Sequence, residues 1–361
     1  MKIIKLISAG AIWGKAWPIL IAIVFFGIII FIHEAGHFFF AKLFKVKVNE
    51  FAMGMGPALL KKKRGDTLYA LRLFPIGGYC AMEGENGESE EKGAFCTASA
   101  WKRLIIVMAG GVINILFGVL LIGIMNCTSD LVGTTKIHSF YDTSVSNTQG
   151  LEAGDEIIKI NGKRVFSDYD MSFLMSRSKD GVISFQVKRN GKKVNVDNVK
   201  LETTYNEESG KNVIIQDFII IGESPNFINV ISTSFKETAS FARMVWLSLF
   251  DLVTGQYGLS DLSGPVGTVK FVSDAAAEAK TSLDFSYLFA IMALITINLG
   301  VFNLLPVPAL DGGRAFFILI EMILRRPVSR KYEGWIHAAG MILLLLFMAV
   351  VSFSDIWKLF H

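Results

Sequence analysis

His33, Glu34 and His37 stand as H-E-x-x-H inside the run Ile28-Ile-Ile-Phe-Ile-His33-Glu34-Ala-Gly-His37-Phe-Phe-Phe40. A separation of four residues is about one helical turn, so both imidazoles leave the same face and can share one metal ion. Glu34, offset by one position, is placed as the base that takes a proton from a metal-bound water rather than as a ligand. Imidazole donors with one open tetrahedral position suit zinc (Zn2+), which brings the pKa of bound water to about 7. Chance matches to this pattern fall mostly on soluble helices. Here it lies in an apolar run, where an ionisable side chain is expensive and marks function by default.

A third ligand is sought where the chain returns to the same depth. Asn303-Leu-Leu-Pro306-Val-Pro308-Ala-Leu310-Asp311-Gly312-Gly313 closes a later apolar run. Pro306 and Pro308 lack amide donors and obstruct a helix, so the helix breaks there. Asp311, followed by two glycines that permit close backbone approach, is the candidate that completes two imidazoles, one carboxylate and one water. Taken alone, an Asp at a helix exit is more often a cap, here for a helix starting near Arg314. Beside an intramembrane H-E-x-x-H, the ligand role is favoured.

The elements that position these residues are membrane spans. A 52% hydrophobic composition in 361 residues, with mean hydropathy +0.46, points to a polytopic membrane protein with a sizeable polar insert rather than a soluble enzyme. The small net charge of +4 leaves no footprint for nucleic acid, only attraction to the lipid bilayer. Cys80, Cys96 and Cys127 are scattered without C-x-x-C spacing, which reads as free thiols.

The first span, from Trp17 to Phe40 behind Lys2, Lys5 and Lys15, is too long for a signal peptide, and cleavage would discard the metal site. His33 lies roughly 24 Å along that helix from Trp17, nearer the second surface. Three more spans run from about Leu104 to Met125, Tyr287 to Leu305 and Ile336 to Phe353, each near the length that crosses about 30 Å of hydrocarbon. Lys42, Lys45, Lys47, the Lys61 to Arg64 cluster, Lys102 and Arg103 lie between the first and second spans, and Arg325, Arg326, Arg330 and Lys331 between the third and fourth. The positive-inside rule makes those loops cytoplasmic, outnumbering the three lysines before the first span. The metal site then faces the cytoplasmic half of the membrane and residues 126 to 286 lie outside.

Within the first cytoplasmic loop, Thr67 to Cys80 alternates partly up to a Pro-Ile-Gly-Gly break, as in a hairpin, and is apolar enough to dip back beside the metal. A small soluble hairpin fits the pattern equally. Glu83 to Lys92 reads as a solvated turn. From Gly133 to about Gly222 the chain becomes β-rich, with hairpin signals at Asn161-Gly162 and Asn190-Gly191. Residues 233 to 254 read as an amphipathic helix whose apolar face is Phe235, Ala239, Ala242, Val245, Trp246, Leu249 and Val253, packed on the membrane surface or on the neighbouring domain. His337 and the tryptophans Trp17, Trp101, Trp335 and Trp357 sit near span ends and carry no chemistry in this reading.

Together, HEAGH at 33 to 37, Phe74-Pro-Ile-Gly77-Gly78-Tyr79, Leu262-Ser-Gly-Pro-Val-Gly267 and NLLPVPALDGG at 303 to 313 make the chain resemble bacterial site-2 proteases, intramembrane zinc metalloproteases of the RseP type. The resemblance covers nearly the whole chain. It implies His33, His37 and Asp311 as zinc ligands, Glu34 as catalytic base, a membrane-reentrant β-loop at about 66 to 82, and Asn303, Pro306, Gly77 and Gly78 as residues that hold substrate. The stretch Gln149-Gly-Leu-Glu-Ala-Gly154-Asp-Glu-Ile-Ile-Lys-Ile-Asn161-Gly162 looks like a PDZ domain. RseP itself carries two in tandem, and only one fits here. Gly111 stands where the family often has proline, a neutral departure.

The expected architecture is therefore a polytopic α-helical membrane protein with four transmembrane helices, a reentrant β-loop and an extracytoplasmic β-rich PDZ-like domain. Its parts are a membrane core at 1–127, the PDZ-like domain at 128–225, amphipathic helices at 226–286 and the rest of the core at 287–361. The expected reaction is hydrolysis of a transmembrane protein substrate in a bacterial inner (plasma) membrane. Candidate substrates are a membrane-anchored anti-sigma factor or a remnant signal peptide, and the PDZ-like domain would take an extracytoplasmic ligand or exclude bulky ectodomains. A catalytically silent PDZ scaffold would not need Glu34. A metal transporter would need further ligands along a path, and the other spans offer almost no ionisable side chains for one.

Overall fold

The computed structural model describes residues 9–85, 87–178, 180–206, 211–255, 262–326 and 328–360; Lys2 and Lys5 lie outside them. The chain divides into two units, residues 1–121 with 251–361, and residues 122–250. Among the described residues four helices are long and apolar enough to cross a membrane: Ala16–Leu43, Ala100–Thr128, Ser286–Leu304 and Lys331–Lys358. They belong to helices α1 (Ala9–Leu43), α2 (Ala100–Thr128), α6 (Ser286–Leu304) and α8 (Arg330–Phe360).

Small residues set how closely these helices approach. A methyl group on Gly36 of α1 would stand 2.9 Å from the Ala109 carbonyl oxygen of α2, and one on Gly300 of α6 would stand 2.7 Å from that of Gly111. Backbone meets backbone at both crossings, the packing that lipid-embedded helices use when apolar burial alone cannot draw them together. Gly111 is therefore a contact position between α2 and α6.

Strands β1 (Val48–Arg64) and β2 (Thr67–Met82) follow α1. In this connection between spans β1 runs through Lys61 to Arg64, paired to Thr67–Ala70 across a tight turn. Phe51 pairs with Cys80 on one edge and with Tyr69 on the other. The segment 50–53 runs in step with 68–71 and antiparallel to 78–81, so the two long strands fold over into a small sheet. Lys42 ties this sheet to α1 by donating to Thr67 Oγ1 at 2.7 Å, and Thr67 donates on to the Val48 carbonyl at 2.8 Å.

Residues 122–250 hold a sheet in the order β10 (Phe218–Glu223), β3 (Val132–Phe140), β4 (Glu156–Ile160), β6 (Val182–Arg189), β7 (Lys192–Lys200), with β5 (Lys163–Arg164) paired to β4. Asn161 and Gly162, and again Asn190 and Gly191, all take positive φ (48, 76, 49 and 79°), the type I′ turns that match strand twist. Strands β8 (Thr203–Asn206) and β9 (Lys211–Ile214) form a separate ribbon. Helix α3 (Asp168–Ser176) closes a core that includes Ile137, Ile157, Phe185 and Phe218. Arg189 donates to both carboxylate oxygens of buried Asp155 at 2.7 Å and so pins the loop ahead of β4.

Helix α4 spans Phe227–Val253, and its two faces separate by polarity. Phe235, Trp246 and Val253 of the apolar face are exposed, whereas Ser234, Glu237, Thr238 and Ser240 are buried beside Phe241 and Val245, the last of these also a member of that apolar face. Periodicity identifies two faces but not which of them meets protein. The polar face is satisfied locally: Asn126 donates to Glu237 at 3.2 Å, and Ser240 donates to Asp170 at 2.9 Å. Helix α5 (Pro265–Ser282) begins with Pro265 at its first turn. Its start is held by Asp355 of α8, which accepts from the amides of Gly264 and Gly267 at 2.9 and 2.8 Å.

Candidate active site

His33 and His37 leave α1 one turn apart, and their Nε2 atoms lie 3.2 Å from each other. Asp311 Oδ2 lies 3.1 Å from the first and 3.2 Å from the second. The result is a nearly equilateral triangle of three donor atoms. Ligands bound tetrahedrally at about 2.0–2.2 Å stand roughly 3.3–3.6 Å apart, so the triangle needs only a few tenths of an ångström to open around one ion.

Tautomers agree with that use. His37 Nδ1 donates to the Ile106 carbonyl of α2 at 2.8 Å, which leaves a lone pair on Nε2 facing the other two donors. Asp311 Oδ2 is buried without a hydrogen-bond donor of its own, a costly state unless a cation completes it.

The backbone explains why Asp311 arrives here. Leu305 ends α6 in extended geometry, Val307 N–H returns to the Leu305 carbonyl at 2.7 Å, and α7 (Asp311–Leu324) begins at Asp311 itself rather than near Arg314. The Pro306–Leu310 turn folds over the first turn of α7 so tightly that a methyl on Gly312 would lie 2.1 Å from the Leu305 oxygen and one on Gly313 2.4 Å from the Val307 oxygen. Side chains at those positions would push the carboxylate away from α1.

Three contributors carry no local sequence signal. Gly110 of α2 faces the imidazoles: a methyl there would fall 2.4 Å from His37 Nε2 and 2.6 Å from His33 Cε1. The Ile106 carbonyl orients His37. Glu85, read from sequence as part of a solvated turn, pairs instead with Arg314 of α7. Both line a cavity of about 380 Å³ with His33, Glu34, His37 and Asp311. A long-range contact defines each of these roles, so spacing along the chain could not reveal them.

Of the residues expected to hold substrate, Gly78 lies closest to the site: a Cβ there would meet Glu34 Cγ at 3.2 Å. Gly77 takes φ +80° and abuts Met55. Tyr79 to Met82 line the cavity, whereas Asn303 and Pro306 are not among its lining residues. Asn303 is half-buried in the last turn of α6, and Pro306 is exposed. The three cysteines are unpaired, and Cys80 also faces the cavity.

Two imidazoles and a carboxylate around one point, with a glutamate next in sequence to one of them, are the working parts of a metallopeptidase. Comparison with known proteins gives the same class. The profile of Peptidase family M50 matches residues 21–347. A Clostridium acetobutylicum protein, provisionally named a zinc metalloprotease, is 39% identical over 94% of this chain and 97% of its own. The zinc metalloprotease RasP of Geobacillus kaustophilus is 27% identical over 94% and 97%, and the regulator of sigma-W protease RasP of Bacillus subtilis 25% over 94% and 98%. The chain belongs to Peptidase family M50 and is a metalloprotease.

Proposed function

We propose that the protein hydrolyses peptide bonds within transmembrane segments of single-pass membrane proteins, with His33, His37 and Asp311 as zinc ligands and Glu34 as general base. The single observation that carries this is the 3.1–3.2 Å triangle of donor atoms, assembled from α1 and the start of α7. Zinc, when bound, supplies a Lewis acid that polarises a carbonyl and makes water acidic near neutral pH. Glu34 takes the proton of the attacking water and passes it to the leaving amine.

A substrate helix protects its own amides and must unwind before attack. Among the described residues no strand pairs with the outer edge of 78–82, and Tyr79 to Met82 of that segment line the metal cavity. Strand addition there replaces the hydrogen bonds that the unwound segment gives up, as reentrant backbone at membrane depth requires. Gly77 and Gly78 keep the approach to Glu34 free of side chains, and Asn303 with Pro306 helps to hold the substrate from outside the cavity lining.

The basic loops around 42–64 and 325–331 support a site toward the cytoplasmic side of a bacterial inner (plasma) membrane. The β-rich insert is then an extracytoplasmic PDZ-like domain that excludes bulky ectodomains. The name of the Bacillus relative ties that protein to sigma-W, which favours a membrane-anchored anti-sigma factor as the substrate class. Deleting 128–222 should let untrimmed substrate be cut; unchanged selectivity would remove the filter.

The test of the reaction is reconstitution with a single-pass substrate. Wild type should cleave within the transmembrane segment and stop on addition of a chelator. Glu34→Gln should keep its zinc and lose about 10²–10⁴-fold in rate, the range for a general base. Cleavage by Glu34→Gln at the wild-type rate would sink the proposal.

A further inference from the structure

The turn that delivers Asp311 has a second support on α8. Ala309, two residues before Asp311, takes φ +77° although it is not glycine, a strained conformation that persists only where its surroundings impose it. Its amide donates to His337 Nδ1 at 3.0 Å. One turn further along α8, Gly340 lies directly on the same turn: a methyl there would stand 2.4 Å from Pro308 Cβ and 2.9 Å from the Pro308 carbonyl carbon. The His337 ring packs beside Phe317 of α7 at a centroid separation of 5.8 Å. One face of α8 therefore grips Pro308 and Ala309, and Asp311 of the donor triangle follows two residues after Ala309.

We infer that His337 is a positioning residue for the metal centre: by accepting the Ala309 amide it holds the strained turn that sets Asp311 against His33 and His37. The inference rests on Asp311 being a zinc ligand. Accepting at Nδ1 requires a lone pair there, so the working form of His337 is the neutral ring with its proton on Nε2. The sequence shows only a histidine near a span end. Its task depends on a turn 28 residues away along the chain.

The experiment measures zinc retained by the full-length protein in detergent micelles during titration with a competing chelator, for wild type, His337→Asn, His337→Gln, His337→Phe and Asp311→Ala. Asparagine places an oxygen near the Nδ1 position; glutamine places it a methylene too far; phenylalanine keeps the ring against Phe317 without an acceptor. The expected result is zinc affinity within about threefold of wild type for His337→Asn and about 10- to 100-fold weaker for His337→Gln and His337→Phe, the range found when partners of metal ligands are removed. Melting temperatures of the zinc-free forms should agree.

Wild-type affinity in His337→Gln, or equal losses in His337→Asn and His337→Gln, would overturn the inference. A large drop in melting temperature of zinc-free His337→Gln would overturn it as well, because the role would then be general packing. These outcomes stand even where His337→Phe does not fold. Zinc retention by Asp311→Ala removes the ligand assignment itself. Loss in Asp311→Ala with none in His337→Gln removes only the role of His337.

Discussion

Replacing Glu237 by glutamine should stabilise the protein, and do so only above mildly acidic pH. Glu237 is 2% exposed on the inner face of α4. Burial first, then the nearby Asp168 carboxylate, push its pKa from 4.5 up to about 8, against a hydrogen bond from Asn126 that favours ionisation. The folded state thus holds a proton that the unfolded chain gives up at lower pH. Below pH 4.5 both states are protonated and nothing is lost. Between pH 4.5 and about 8 the unfolded state ionises alone, and folding loses stability with each unit of pH. Above about 8 both are ionised and the loss is constant. The difference of 3.5 units between 8 and 4.5, at about 1.4 kcal/mol per unit, sets a ceiling of about 5 kcal/mol. Glutamine keeps an oxygen for Asn126 and carries no charge. The assay is thermal melting of full-length wild type and Glu237→Gln in the same micelles from pH 4.5 to 9. The two should coincide at the acid end, and the glutamine form should gain several degrees by pH 8. A gap that is independent of pH, or a glutamine form that is less stable at pH 8, refutes the reasoning.

Gly110→Ala should lower zinc content at constant protein yield, since the added methyl falls 2.4 Å from His37 Nε2; full zinc occupancy by metal analysis would refute it. Gly300→Ala forces a methyl to 2.7 Å from the Gly111 carbonyl and from Ile115 Cγ1, and should cost about 1–3 kcal/mol in unfolding experiments. A small thiol reagent should label exposed Cys127 fastest and buried Cys80 slowest, in step with the burial that raises the Cys80 thiol pKa; the reverse order by mass spectrometry would contradict the placement of β2.

The legible parts of this chain are those written in local spacing. One helical turn between His33 and His37, the prolines before Asp311, and Asn-Gly pairs between β-branched runs each fix a geometry within a few residues. Four apolar runs of spanning length were equally plain, with ends that the structure extends by several residues. What spacing could not show depends on contacts between distant segments. The Ile106 carbonyl meets His37 only because α2 crosses α1 at Gly36, and Glu85 reaches Arg314 only once the small sheet has folded. Lys61 to Arg64 mark the side of the membrane by their charge but carry no strand pattern, and their pairing to Thr67–Ala70 shows only in the structure. Helix α4 shows the same limit from another side, since a period of 3.6 finds a stripe without naming the medium that stripe will meet.

The outward stripe of α4 also has a practical bearing on any attempt to work with residues 122–250 in isolation. Phe227, Ile228, Ile231, Phe235, Trp246 and Phe250 are all exposed, and an apolar strip of that size in plain buffer is a sticky surface that drives self-association. A soluble fragment for crystallisation or titration should therefore have those six positions replaced by polar residues.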